Sequence, residues 1–249
     1  MQLVVYSTVC IWQKQPDHGI SSSSKKGMAL ADDHNEPVKL RDKAYQSFTE
    51  HLLARDFHPG QFVSQRQLVT MTGLPLGAIR ELIPRLETEG LIKTVPQRGL
   101  QIAHIDLNLI REAFQFRLFI EKESVAIFCQ SASDTLLRSL RAAHEETLNR
   151  AMSEGETPEL EEQAQNIDWS LHDTIVGSLD NEIIWRNYQT NTIKMRLINQ
   201  ERFRITGRVI PVMQEHLSVL SAIETRDPQT AMDAIAVHIN NARKLALHI

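Results

Sequence analysis

The sequence predicts a mainly α protein: a small α+β unit towards the amino terminus, then an all-α helical bundle. Three observations carry this. Between Ser64 and Gly99, two short helical stretches flank a turn at Thr72-Gly73 and lead into two apolar runs around Pro96-Gln97-Arg98-Gly99. From Asp106 onward apolar residues recur at helical spacing, and glycine and proline are nearly absent from the predicted helix interiors. Finally, 249 residues of which 42% are hydrophobic can bury more than one core.

Residues 1–37 read as a disordered leader without a function, because Ser21 to Ser24, Lys25-Lys26-Gly27 and Asp32 to Pro37 have no periodicity. Val38 to Asp56 is the first helix, with Leu40, Ala44, Phe48, Leu52 and Leu53 on one stripe. Phe57-His58-Pro59-Gly60 turns the chain, and Gln61-Phe62-Val63 is a short strand to set against the hairpin. Gln65 to Thr70 is a short helix. The next helix carries Leu76, Ile79, Leu82, Ile83 and Leu86 at helical spacing, and Gly90 stops it. Pro84 lies inside it and is expected to kink it, by removing the hydrogen bond to the Arg80 carbonyl. Leu91 to Val95 and Leu100 to Ala103 form the hairpin. Helix, tight turn, helix, hairpin is the order of a winged helix-turn-helix over residues 38–103, which places its second helix in a DNA major groove. Protein-binding modules share that order and stay open at this point.

Six helices follow in residues 104–249, expected at 106–129, 133–153, 157–178, 181–199, 208–226 and 229–248. Asp106, Ser133 and Asn181 are their N-cap candidates, Pro158 suits a first helical turn, and Asp227-Pro228 breaks the last pair.

The net charge of −4 hides an asymmetry. Residues 38–103 carry nine Lys/Arg against six Asp/Glu, whereas residues 104–249 carry fifteen against twenty-one. A basic module on an acidic body is suited to phosphate, though so small an excess also arises as ordinary surface variation. Two cysteines, Cys10 and Cys129, exclude a disulfide framework, and Cys129 follows an apolar run as a buried thiol. No apolar run reaches membrane-span length, and Met1 to Trp12 lacks a basic start and a cleavage site, so the expected compartment is the cytoplasm.

Asp168 and His172 are four apart on one helix face. His216 and His238 lie eleven residues before and after Asp227, so an antiparallel pair of helices puts them level. One carboxylate and three imidazoles then meet from three helices. The set suits Zn²⁺, with Ni²⁺ or Mn²⁺ as alternatives, or a purely hydrogen-bonded cluster. His51, His58, His104 and His144 have no such arrangement and are expected at the surface.

Several of these residues carry a family resemblance. His58-Pro59-Gly60 with Ser64, Gln67-Leu68, Gly73, Ile79-Arg80-Glu81, Arg85-Leu86, Glu89-Gly90-Leu91 and Arg98-Gly99 resemble the DNA-binding domain of GntR-type transcription regulators. The remainder resembles the all-helical ligand domain (FCD) of the FadR-like branch, closest to its six-helix VanR-type version. Pro75-Leu76 stands where the family usually has Ser-Arg, and Pro84 where it usually has Ala, which puts sequence preference in doubt more than DNA binding. The resemblance implies DNA contacts from Arg66, Arg80, Arg98 and Gly99, and a metal on Asp168, His172, His216 and His238. It also implies a small organic-acid effector. Arg117, within Arg117-Leu118-Phe119-Ile120-Glu121, would face that effector, or else form a surface salt bridge to Glu121. Asn187 and Asn191 are a weaker polar pair for the same cavity, or simply face solvent. The expected protein is a homodimeric regulator, in repressor form, that binds operator DNA and no membrane. The alternative is a metal-dependent hydrolase with a helical partner-binding module.

Overall fold

A computed structural model describes residues 40–202 and 205–248. The predicted leader and Cys10 lie outside the described residues. The elements are α1 (Leu40–Leu53), β1 (Phe62–Val63), α2 (Gln65–Thr72), α3 (Leu76–Thr88), β2 (Ile92–Val95), β3 (Gly99–Ile102), α4 (Leu107–Ser131), α5 (Asp134–Glu154), α6 (Pro158–Gly177), α7 (Glu182–Arg202), α8 (Val209–Glu224) and α9 (Pro228–Leu247). The mainly α class is what the sequence predicted.

α2 begins with a reciprocal cap. The Ser64 hydroxyl accepts from the Gln67 N–H, and Gln67 Oε1 accepts from the Ser64 N–H. It ends on Gly73, whose φ of 67° lets its N–H return to the Val69 carbonyl before α3 starts. α3 turns Ala78, Ile79, Leu82, Ile83 and Leu86 inward against α1 and α2. One expectation fails here. Leu76 is 40% exposed, because it opens the helix beyond the edge of the core. The helix continues past Pro84 to Thr88, with Pro84 on its exposed face. At the start of α1, Leu40 likewise leaves the predicted stripe and is exposed, while Ala44, Phe48 and Leu52 are buried.

The sheet order is β1-β3-β2, antiparallel throughout, with Ile92 opposite Ile102 and Val95 opposite Gly99. Gly99 has φ of 99°, and a Cβ there would lie 2.9 Å from the Val63 carbonyl oxygen. A side chain at this position would push β1 away from the hairpin.

The six later helices match the predicted set to within four residues at their ends, with a core that includes Phe114, Phe128, Leu171, Ile198, Leu220 and Ile239. Asp106, Ser133, Thr157 and Asp227 each accept a backbone N–H at a helix start, and Asn181 Oδ1 accepts from Ile183 and Ile184. α7 joins the two parts of the chain. Its Leu197 is buried in the core made by α1–α3 and the sheet, and Gln200 Nε2 donates to the Leu53 carbonyl at 2.7 Å.

Candidate metal centre

Asp168 and His172 lie one turn apart on α6, His216 is on α8 and His238 on α9. One ligating atom from each falls within 4.8 Å of all the others. His238 Nε2 is 3.2 Å from His172 Nε2 and 3.3 Å from His216 Nε2, and Asp168 Oδ1 is 3.2 Å from His216 Nε2. The antiparallel pair of α8 and α9 sets His216 and His238 level, as their spacing about Asp227 predicts. All three imidazoles are buried, and Asp168 is half-buried towards the cavity.

The outer hydrogen bonds decide what the inner nitrogens are. His172 Nδ1 meets Glu121 Oε2 at 2.5 Å, and His238 Nδ1 meets Glu215 Oε2 at 2.8 Å. A carboxylate only accepts, so both Nδ1 atoms carry the proton. His144 Nδ1 faces the Leu140 carbonyl at 2.7 Å, so it too is protonated at Nδ1. His144 Nε2 then accepts from His216 Nδ1 at 3.1 Å. Burial, with the neighbouring His216, pushes His144 down to about 4 and His238 down to about 3. Burial, helped by Arg117, also lowers His172. The inward Nε2 atoms of His172 and His238 are therefore bare lone pairs, and His216 Nε2 faces Asp168 Oδ1 at 3.2 Å.

Two lone pairs, a third imidazole nitrogen and a carboxylate thus meet within the reach of one ion, and a cation between them would satisfy all four. A tetrahedral ion with metal–nitrogen bonds of ~2.0–2.1 Å needs its nitrogens roughly 3.3–3.4 Å apart, close to the separations at His238. Neutral imidazoles with one carboxylate suit a divalent transition ion rather than Mg²⁺ or Ca²⁺. Burial alone would push the Asp168 carboxyl up, but His216, His172 and Arg117 hold it well below the usual carboxylate range. Burial opposes ionisation of Glu121 in the same way, yet Arg117 and His172 bring it down to about 2.

Three of these supporting groups escaped the sequence reading. His144 was expected at the surface but is buried on α5, where it orients His216. Glu121 was expected to pair with Arg117, and it does at 2.7 Å, but this pair is buried beside the cluster rather than at the surface. Its second oxygen holds His172. Glu215 immediately precedes His216, and its other oxygen accepts from Asn241 at 3.0 Å.

A cavity of about 50 Å³, several times what one water needs, opens beside the cluster. Asp168, His172 and His238 line it together with Arg117, Asn191 and Arg196. Asn191 Nδ2 donates to the Ala113 carbonyl. Asn187 does not reach the cavity: it is exposed, and its Nδ2 donates to the Ile183 carbonyl one turn back. Asp173 also lines the cavity, and burial pushes its carboxyl up to about 6 despite Arg196 and a hydrogen bond from Tyr188.

In the amino-terminal module, Arg66 on α2, Arg80 on α3 and Arg98 in the wing are all exposed. Arg80 Nε donates weakly to Gln65 Oε1 at 3.4 Å, and Arg98 lies 3.9 Å from the centroid of the Phe62 ring.

Residues 112–241 match the FCD domain family. The chain is 24% identical over 187 residues to the Nta operon transcriptional regulator of Aminobacter aminovorans, spanning 74% of this chain and 83% of that one. It is 20% identical over 181 residues to the HTH-type transcriptional repressor RspR of Escherichia coli strain K12, spanning 73% and 77% respectively. The fold is similar to the solved structure of E. coli McbR/YncC, with a TM-score of 0.66 and 15% identity over 85% of this chain and 98% of the other. With the FCD match covering more than half of its length, the chain belongs to the FCD family of GntR-type transcription regulators.

Proposed function

We propose that this regulator binds operator DNA through residues 38–103 and senses a small carboxylate metabolite at a metal ion held by residues 104–249. The observation that supports it most is the convergence of the His172 and His238 lone pairs with His216 Nε2 and Asp168 within 4.8 Å of one another. In that reading Asp168, His172, His216 and His238 hold the ion, most simply Zn²⁺. The ion would supply an open position for a carboxylate oxygen. Arg117, fixed by Glu121, would present its remaining N–H groups to the same anion.

Control of DNA binding would run through α7. One face of that helix contributes Asn191, Met195 and Arg196 to the cavity, while Leu197 packs into the DNA-binding module. Arg55 Nη2 also donates to the Gln200 carbonyl at 2.7 Å. A ligand that shifts α7 therefore shifts the module. Repression relieved by the metabolite is the arrangement we favour, by analogy with the repressor among its relatives. Two copies would act together, since one module reads too few base pairs for a unique site. Phe119 and Ile127, 66% and 53% exposed on α4, offer an apolar face for the pairing. The protein would work in the cytoplasm. Among the described residues no helix is long and apolar enough to cross a membrane.

The test is an anisotropy titration of DNA from upstream of the protein's own gene. Arg80→Ala is expected to weaken binding by roughly 1–3 kcal/mol if it reads a base, and less if it meets phosphate. Arg98→Ala is expected to weaken all sequences alike. Parent-like binding by both variants at matched salt would sink the assignment of these arginines. The competing metal-dependent hydrolase would use Asp173 as its base, and a screen for hydrolysis by the metal-loaded protein separates the two readings.

A further inference from the structure

Arg196 lines the cavity with a guanidinium that the protein does not fully satisfy. Its Nε is buried and has no hydrogen-bond partner. Among the described residues the carboxylate that acts on it is Asp173, and it does so through space rather than through a hydrogen bond. Arg117, by contrast, already donates its Nε to Glu121 at 2.7 Å. A buried N–H on a charged group is costly to leave unmade, so a site that keeps one is suited to an acceptor from outside the chain.

The geometry also says what kind of acceptor. The Arg196 guanidinium carbon lies 4.2 Å from the centroid of the Trp169 ring. Stacking on an aromatic face fixes the plane of the guanidinium. The edge of that plane carries parallel N–H groups, which match the two oxygens of a carboxylate. Trp169 follows the ligand Asp168 directly, so the brace for Arg196 and the metal cluster are set by the same turn of α6. Both open into one cavity.

We propose that Arg196, braced on Trp169, takes the second carboxylate of a dicarboxylate effector whose first carboxylate sits at the metal and Arg117. The assignment rests on the metal-dependent reading above and makes Arg196 the residue that separates dicarboxylates from monocarboxylates.

The test is calorimetric titration of the full-length, metal-loaded protein with matched pairs: succinate against butyrate, glutarate against valerate and adipate against hexanoate. At least one dicarboxylate is expected to bind roughly tenfold or more tightly than its partner, the factor a bidentate charged hydrogen bond supplies. Arg196→Gln is expected to remove that preference, weakening the dicarboxylate at least about fivefold more than its monocarboxylate partner, and Arg196→Lys to restore part of it. Equal affinity for both members of every pair, or an undiminished preference in Arg196→Gln, would overturn the assignment of Arg196. The metal reading fails separately: monocarboxylate binding that survives removal of the metal would contradict it whatever Arg196 does. Circular dichroism melting of the variants confirms that they are folded.

Discussion

His144 touches no ligand atom of the cluster's centre, yet it determines what one of them can do. With its Nδ1 proton committed to the Leu140 carbonyl, it must accept at Nε2, so His216 must carry its proton outward. Replacing such an outer partner typically lowers metal affinity about 10–100-fold. His144→Ala should therefore keep the metal stoichiometry at saturating ion but weaken competition against a chromophoric chelator by about that factor. An unchanged affinity would show that His216 is oriented by packing alone. At this scale the sequence was partly legible. Asp168 and His172 share a helix face by spacing, and His216 and His238 are symmetric about a visible break. Glu121, His144 and Glu215 come from three helices whose polar residues outnumber the few that turn inward. Nothing in the local pattern distinguishes His144 from its exposed neighbours Glu145 and Glu146. Arg196 was hidden in the same way, because an arginine near a helix end reads as solvated until Trp169 is placed beneath it.

Element boundaries were set by caps, and caps are readable. Ser64, Asp106, Ser133 and Asp227 stand where helices start, and Gly73 where one must turn sharply. α7 is the element whose role no sequence pattern announced. Its residues alternate between the cavity and the DNA-binding module, so it reads as a helix without one clear apolar stripe. Leu197→Ala should loosen its hold on the module, since truncating a buried leucine costs about 2–5 kcal/mol of packing. The expected outcome is a smaller effector-induced change in DNA affinity with effector affinity in the absence of DNA nearly unchanged. Because coupling is reciprocal, DNA should then also alter effector affinity less. If the effector shifts DNA affinity by the same factor in parent and variant, α7 is not the relay.

In the proposed regulator two parts of the chain are coupled and two copies pair. The exposed Phe119 and Ile127 on α4 make Phe119→Lys the direct probe of assembly. Sedimentation velocity at micromolar concentration should show a dimer for the parent and a shift towards monomer for the variant, with weaker operator binding alongside. A parent monomer would remove the expected two-fold operator symmetry.

Everything above depends on an ion among Asp168, His172, His216 and His238. The most direct measurement is the metal content of the untagged protein purified without chelator, by elemental analysis. The account predicts about one divalent transition ion per chain, and a melting temperature that falls when a chelator removes it, because an ion bound only by the folded state adds to its stability. In His216→Ala and His238→Ala the melting temperature should start at the lower value and not respond to chelator. Less than about a tenth of an equivalent per chain, with no effect of chelator on melting, would contradict the account and leave the four residues a hydrogen-bonded polar cluster.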